Sequence, residues 1–158
     1  MNEFKIGVIS DTHGLLRTKV LELFQSSNLI IHAGDIGSID IINSLEKIAP
    51  VVAVKGNCDK DSSLNKYHKT EVVELGGKLI YVLHNARELD LDVKTSGFHI
   101  VISGHSHKPE NYFLNDILYL NPGSAGPRRF NLPISAAAIY IDGSSVRAEL
   151  FDIFDIEK

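Results

Sequence analysis

Five segments rich in branched apolar residues end in an Asp, Asn or His beside a glycine or another small residue. These end residues are Asp11, Asp35, Asn57, His84 and His105. They are separated by 24, 22, 27 and 21 positions, roughly one structural unit each time. In α/β sheets, ligands gather outside the carboxyl ends of the strands, so we expect these five side chains to converge on one spot.

Two of these residues are followed, two positions later, by a histidine. Asp11 and His13 offer a carboxylate oxygen and an imidazole nitrogen on one turn, and His105 and His107 project two imidazoles from a short segment. Such mixed oxygen and nitrogen ligands suit Mn²⁺, iron, Zn²⁺ or Ni²⁺ better than Ca²⁺ or Mg²⁺. The seven polar residues therefore predict a transition-metal site.

Asp35 and Asn57 extend this site to two ions, because a carboxylate can bridge through its two oxygens and an amide adds a neutral oxygen. With Asp11 and Asp35, two divalent ions leave a net charge of about +2, which one hydroxide and one phosphodiester neutralise. Such a pair activates hydroxide and clamps the attacking and leaving oxygens of an in-line displacement. We therefore expect phosphoester hydrolysis without a protein nucleophile, since no convincing Ser-His-Asp set is present.

The elements that position these residues are indicated by apolar spacing. The first half alternates strands with helices, which predicts βαβ units and a mainly parallel sheet. Its expected strands are 4–9, 29–32 and 51–54, with one helix built on Leu16, Val20, Leu23 and Phe24 and another capped by Ser38 and stopped by Pro50. The second half predicts hairpins. Their expected strands are 71–75 with 78–84, 111–114 with 117–120, and 134–141 with 146–154, besides a lone strand 99–102 and a short helix within 87–95.

The ordered motifs Asp11-Thr12-His13, Gly34-Asp35, Gly56-Asn57-Cys58-Asp59, His84 and Gly104-His105-Ser106-His107 resemble those of the calcineurin-like metallophosphoesterase superfamily. Asn121-Pro122-Gly123-Ser124, followed by Pro127-Arg128, resembles its small single-domain phosphodiesterase branch, which includes relatives of a retromer scaffold subunit. The resemblance implies an α/β fold, a four-layer α/β/β/α sandwich of two mixed sheets flanked by helices. We expect one domain over residues 1–158 that acts on a small phosphoester.

The same resemblance divides the ligands between two divalent ions. One ion takes Asp11, His13, Asp35 and His107, and the other takes Asp35, Asn57, His84 and His105. Catalysis is expected to rest on Asp35, Asn57, His84 and His105. Mn²⁺ is the favoured metal, with Ni²⁺, Zn²⁺ or iron as alternatives.

Departures from the family pattern bear on the substrate. Cys58 stands where many members have a histidine that protonates the leaving group, so we expect better turnover of esters with good leaving groups. Asn85-Ala86 replaces a Gly-His pair and changes the wall that faces the substrate. Arg128 is a candidate for steering an anionic substrate. His32 and Asp59 are expected to support the site without binding metal.

Bulk composition limits the alternatives. The net charge of −4 disfavours a dedicated nucleic-acid binder, and no apolar run approaches the length of a membrane span. A single cysteine and the absence of a signal-peptide pattern favour the cytoplasm. A phosphomonoesterase and a non-catalytic protein-binding scaffold remain alternatives, a nuclease is disfavoured, and a homodimer is expected from the resemblance alone.

Overall fold

The computed structural model describes residues 3–153, in which ten strands form two five-stranded sheets. The first sheet contains β1 (Glu3–Ile9), β2 (Leu29–His32), β3 (Val51–Ala53), β9 (Ser135–Asp142) and β10 (Ser145–Asp152), in the order β10-β9-β1-β2-β3. The second contains β4 (Thr70–Leu75), β5 (Lys78–Leu83), β6 (Ile100–Ile102), β7 (Glu110–Leu114) and β8 (Ile117–Asn121), in the order β4-β5-β6-β8-β7. The helices are α1 (Thr18–Leu23) and α2 (Ile39–Glu46), with 3-10 turns at Ser62–Leu64 and Ala86–Glu88.

The predicted parallel unit is confirmed by the pairing of β1 with β2 and of β2 with β3. At its centre Gly7 lets α1 lie close to β1, because a Cβ at that position would come within 2.9 Å of the Phe24 ring. Helix α2 begins as expected, with the Ser38 hydroxyl accepting a hydrogen bond from the amide of Asp40. β9 and β10 add antiparallel strands at one edge, so the sheet is mixed.

Three hydrophobic clusters separate the layers. The first lies between the first sheet and helices α1 and α2, and includes Phe24 and Leu45. The second lies between the two sheets and draws on β1, β2, β5, β6, β8 and β9. The third covers the outer face of the second sheet. This stacking has the layer order of the predicted sandwich and buries the central strands of both sheets.

The outermost layer over the second sheet differs from the predicted short helix. Only a 3-10 turn forms at Ala86–Glu88, and the following chain is irregular. The reason is spacing, since Leu89, Leu91 and Val93 recur at every second position and all pack on the sheet. A period of two matches extended chain rather than a helix, so the helix predicted within 87–95 is wrong.

Two predicted hairpin turns are confirmed by their backbone. Gly76 and Gly77 have φ of 61° and 79°, and Asn115 and Asp116 have φ of 52° and 64°, which is typical of two-residue turns with left-handed residues. The third turn lies one residue later than predicted, because Asp142 pairs with Ser145. The end expected for its second strand, Phe154, lies outside the described residues.

No helix in the described part of the chain is both long and apolar enough to cross a membrane.

The inter-sheet cluster predicts a stability difference between two valines of one hairpin. Val82 is fully buried between the sheets, whereas Val72 on the neighbouring strand is 55% exposed. Val82→Ala should lower the free energy of unfolding by about 2 kcal/mol, and Val72→Ala by less than about 1 kcal/mol. Urea unfolding monitored by circular dichroism measures both; equal losses would contradict the placement of Val82 between the sheets.

Candidate metal centre

Five of the seven predicted ligands occupy a backbone conformation that L-residues rarely adopt. Their φ values lie between 47° and 72° and belong to Asp11, His13, Asp35, His105 and His107. Nine non-glycine residues in the described chain have positive φ, so more than half of them are predicted ligands. Each such residue costs on the order of 1 kcal/mol, and such strain is typical of functional sites.

Asp11 has one satisfied and one unsatisfied carboxylate oxygen. Its Oδ2 accepts hydrogen bonds from the Ser10 hydroxyl at 2.7 Å and from the amide of His105 at 3.1 Å. Its Oδ1 is buried without a hydrogen-bond partner and lies 3.3 Å from Nε2 of His107. A buried carboxylate oxygen is costly unless a donor or a cation compensates it.

Asp35 is divided in the same way. Its Oδ1 accepts a hydrogen bond of 2.9 Å from the amide of Cys58 and lies against Gly56, where a Cβ would overlap the carboxylate. Its Oδ2 lies 3.3 Å from Nε2 of His84 and 3.7 Å from Nε2 of His13. Oδ2 of Asp35 thus faces the histidines, whereas Oδ1 is held by the Cys58 amide.

The tautomer of His84 follows from its contacts. Nδ1 lies 2.7 Å from the carbonyl oxygen of Ala33, so Nδ1 carries a proton and donates it. In the neutral ring, Nε2 then presents a lone pair to Asp35 Oδ2 at 3.3 Å and to Asp11 Oδ1 at 3.8 Å. A lone pair facing two carboxylate oxygens is repulsive until a proton or a metal ion lies between them.

The pKa values reflect the same need for positive charge. Burial lowers the pKa of His84, but the Asp35 carboxylate, to which a protonated Nε2 could donate, and the charge of Asp11 raise it more, and the net shift is upward. Burial raises the pKa of Asp35, but the adjacent His84 imidazole and the hydrogen bond from the Cys58 amide outweigh burial and hold the pKa well below its ordinary value. Asp35 is thus ionised near neutral pH.

The donor atoms fit divalent ions. Among the described residues, four buried side-chain polar atoms lack a hydrogen-bond partner, and three of them belong to Asp11, His84 and His107. Oxygen and nitrogen or sulfur donors lie within 4.8 Å of one another in three groups: Asp11 with His13 and His107, Asp11 with Asp35 and His84, and His13 with Asp35 and Cys58. Unpartnered donors in such clusters are the arrangement that a cation completes.

Asn57 and His105 lie at the rim of this cluster. Both line a cavity of about 390 Å³ together with His84, and the His84 and His105 rings are 5.2 Å apart. His105 belongs to none of the three close groups, and the Asn57 amide nitrogen lies 3.6 Å from the sulfur of Cys58. The structure thus gathers five predicted ligands in close groups and places Asn57 and His105 on the wall of a cavity that His84 also lines.

Asp59 holds two ligand-bearing loops together, as expected. Its carboxylate accepts hydrogen bonds from the amides of Ile36, Gly37 and Gly56 at 3.1, 3.0 and 2.9 Å. The first two follow Asp35 in the chain, and Gly56 precedes Asn57. Asp59 therefore fixes the loop that carries Asp35 relative to the loop that carries Asn57.

His32 is a supporting residue rather than a ligand. The amide of Gly34 donates to its Nδ1 at 3.1 Å, so the proton lies on Nε2, which contacts the Thr12 hydroxyl at 3.0 Å. Thr12 in turn donates to the carbonyl of Ile36 at 2.8 Å. Burial lowers the pKa of His32 to about 4, although Asp11 opposes the shift, so the ring is neutral near pH 7.

The Asn121-Pro122-Gly123-Ser124 loop supports the centre from the second sheet. The buried Asn121 amide donates to the carbonyl of Gly104 at 3.0 Å and to the Ser106 hydroxyl at 3.1 Å. Ser124 donates to the carbonyl of Asp11 at 3.1 Å. Sequence reasoning anticipated contact by this loop but not the supporting contacts of Ser10 and Thr12, whose only signal is a hydroxyl on each side of a predicted ligand.

The three residues proposed from sequence for substrate contact all lie near the cluster. Arg128 lines a cavity with His13 and His107, and Asn85 lines two cavities that contain His105. Cys58 is an exposed residue, but partial desolvation of its thiol, together with the nearby Asp35 carboxylate, raises the pKa of the thiol.

Sequence reasoning also missed Lys55 and Lys69, which line the cavity beside His84. No motif marks them, because a lysine at the edge of a sheet is common without a ligand.

With this geometry established, comparison with known proteins gives the class. The model of the calcineurin-like phosphoesterase superfamily domain matches residues 4–144. The chain therefore belongs to the calcineurin-like phosphoesterase superfamily, whose members bind divalent metals.

Individual relatives agree with this membership. The chain is 34% identical to a "probable metallophosphoesterase" of Methanothermobacter thermautotrophicus, over 92% of this chain and 90% of that protein. It is 29% identical to a "phosphodiesterase" of Methanocaldococcus jannaschii, over 75% of this chain and 82% of that protein. The structure of Vacuolar Protein Sorting 29 from Cryptosporidium parvum shares the fold, with a TM-score of 0.81, 23% identity and coverage of 95% and 91%.

The bonds of Asp59 predict a loss of metal affinity without loss of a ligand. Asp59→Ala leaves three amides unpaired and frees the two loops, so Mn²⁺ should bind about 10- to 100-fold more weakly. Asp61→Ala is the matched control, because Asp61 is an exposed cap of the adjacent 3-10 turn. Isothermal titration calorimetry measures both, and equal affinities for the two variants would contradict the role assigned to Asp59.

Proposed function

We propose that this protein is a metal-dependent phosphodiesterase that uses a two-metal centre. One observation carries the proposal: Asp11 Oδ1 and His84 Nε2 are buried without a hydrogen-bond partner, although Asp11 Oδ1 lies 3.3 Å from His107 Nε2 and His84 Nε2 lies 3.3 Å from Asp35 Oδ2. When bound, two divalent ions supply an activated hydroxide and neutralise the charge of the phosphoryl group. The relative named a phosphodiesterase supports the choice of a diester.

The proposed ligand sets follow the family pattern, and the donor groups support them. One ion is held by Asp11, His13, Asp35 and His107, and the other by Asp35, Asn57, His84 and His105. The close grouping of Asp11, His13 and His107 supports the first set, and the Nε2 of His84 beside Asp35 supports the second. Mn²⁺ is the proposed metal, with Ni²⁺, Zn²⁺ or iron as alternatives suited to mixed oxygen and nitrogen donors.

The chain's own residues orient and screen the reacting groups. Asp35 Oδ2 lies between the two sets, and the proton on His84 Nδ1 keeps Nε2 free to ligate. Asn57 and His105 at the rim mark the cavity wall where we place the ester. Arg128 supplies a positive charge beside His13 and His107 that attracts the anionic substrate.

Loss of the shared carboxylate predicts loss of activity. Asp35→Ala should lower the Mn²⁺-dependent kcat/KM for bis-p-nitrophenyl phosphate at least about 1000-fold, because both ligand sets lose a member. Asp61→Ala keeps the parent rate, since this exposed residue lies outside the centre. Absorbance assays with and without Mn²⁺ measure kcat/KM for the three proteins. Metal-independent activity in both the parent and Asp35→Ala would contradict the proposal.

Cys58 predicts dependence on the leaving group. Its thiol lies within 4.8 Å of donor atoms of Asp35 and His13, and its raised pKa makes it a weak proton donor near pH 7. Cys58→His introduces a general acid with a pKa near neutrality, which contributes ~10²–10⁴-fold when well placed. The variant should gain at least about 10-fold in kcat for phenyl esters and little for p-nitrophenyl esters; a uniform change across both would contradict this role.

A non-catalytic scaffold is the alternative from another class. The likeness to Vacuolar Protein Sorting 29 favours it, as does an exposed patch formed by Tyr112, Phe113 and Leu114 on β7. A scaffold would bind Mn²⁺ yet turn over no phosphoester, and a stoichiometric partner would be recovered with it.

A phosphomonoesterase is separated from the diesterase by assaying p-nitrophenyl phosphate against its diester.

A further inference from the structure

A loop beside the metal centre presents an arginine and a phenylalanine towards two cavities. Arg129 and Phe130 line one cavity of about 520 Å³ that also contains His105, and another of about 430 Å³ that contains His13 and His107. These volumes are in the range of small-molecule sites. The same two side chains therefore border spaces that reach predicted ligands of both ions.

Phe130 is unusual in both exposure and backbone. It is 87% exposed and belongs to none of the hydrophobic clusters of the described residues. Its φ is 53°, a left-handed conformation that a bulky aromatic residue rarely adopts. An aromatic ring in water forgoes the stabilisation of burial, and the backbone adds strain. Within the described chain, no hydrophobic cluster buries the ring to offset its exposure or its backbone strain. An exposed ring in this conformation is available to contact a ligand.

The base of this loop is tied to the metal centre. The Arg17 guanidinium donates to the carbonyls of Ala125 and Gly126 at 3.3 and 3.2 Å. Gly126 lies so close to the backbone of Thr12 that a Cβ would overlap its carbonyl oxygen. The amide of Leu132 closes the far side of the loop on the carbonyl of Arg129. Phe130 is therefore presented from a base anchored to the segment that carries Asp11 and His13.

We infer that Phe130 and Arg129 form a subsite for a planar aromatic substituent of the phosphoester, either a nucleobase or an aryl group. The inference rests on the proposed phosphodiesterase function and narrows its substrate class. The Phe130 ring stacks on the substituent, and the Arg129 guanidinium pairs with one phosphoryl oxygen, while bound metal ions would hold the other phosphoryl oxygens. A substituent without a ring leaves Phe130 in water and gains nothing from it.

Binding of non-hydrolysable phosphonates tests the subsite without turnover. Isothermal titration of the Mn²⁺-loaded parent compares methylphosphonate, phenylphosphonate and the 5′-methylenephosphonate analogue of thymidine phosphate. The parent should bind at least one aromatic ligand about 5- to 100-fold more tightly than methylphosphonate, the range expected for one stacking contact. Preference for the thymidine ligand identifies a nucleobase, and preference for the phenyl ligand identifies an aryl ester.

Three variants assign the preference to Phe130. Phe130→Ala should abolish it and Phe130→Trp should retain it, whereas Phe113→Ala, which removes an exposed phenylalanine on β7, should bind like the parent. The subsite is overturned if the parent shows no preference or if Phe130→Ala keeps it.

Phosphodiesterase assays on the same samples separate the subsite from the proposed reaction. An inactive parent with a Phe130-dependent preference contradicts only the proposed reaction, and an active parent without that preference contradicts only the subsite.

Discussion

The described structure is organised around one electrostatic problem: two buried carboxylates turn an oxygen each towards imidazole nitrogens. Asp11 Oδ1 and Asp35 Oδ2 lie 3.3 Å from His107 Nε2 and His84 Nε2, respectively. Without a cation, relief comes from a proton on His84, and this is why the pKa of His84 is raised. Since a proton and a metal ion compete for the same lone pair, a metal ion bound to His84 Nε2 would displace this proton.

Much of the surrounding structure can be understood as support for this arrangement. The second oxygen of each carboxylate is occupied by protein donors: Ser10 and His105 for Asp11, and Cys58 for Asp35. Each oxygen left for a cation is thereby fixed in direction. Bringing these side chains together costs backbone strain, because five predicted ligands have left-handed backbone. The apolar cluster between the two sheets provides the rigid framework that holds the strained loops in place.

The predicted ligand positions could be read from the sequence because chemistry and topology leave local marks, and the structure brings five of these side chains close together. Polar residues at strand ends, spaced by one strand and its connection, identify where parallel strands deliver their side chains. The hairpins at Gly76-Gly77 and Asn115-Asp116 were predictable because left-handed turn residues are few in kind. Both signals, the polar residues at strand ends and the turn residues, depend on residue type at a given position, so they can be recognised in the sequence alone.

What the sequence did not reveal depends on contacts between distant segments. The irregular segment that carries Leu89, Leu91 and Val93 was predicted to be a helix because three apolar residues are too few to define a period. Packing against the second sheet decides its conformation. The orientation of Asp35, with Oδ2 facing the histidines, depends on Gly56 and the Cys58 amide lying against Oδ1, which only the folded chain shows. The exposure of Phe130 likewise depends on how the loop after Ser124 is anchored.

Anomalous diffraction from a crystal of this protein grown with Mn²⁺ tests the two-metal centre most directly. The account predicts two anomalous peaks about 3.5–4 Å apart, with Asp35 Oδ2 between them and Oδ1 still bonded to the Cys58 amide. A single peak, or two peaks that Asp35 does not bridge, would contradict it.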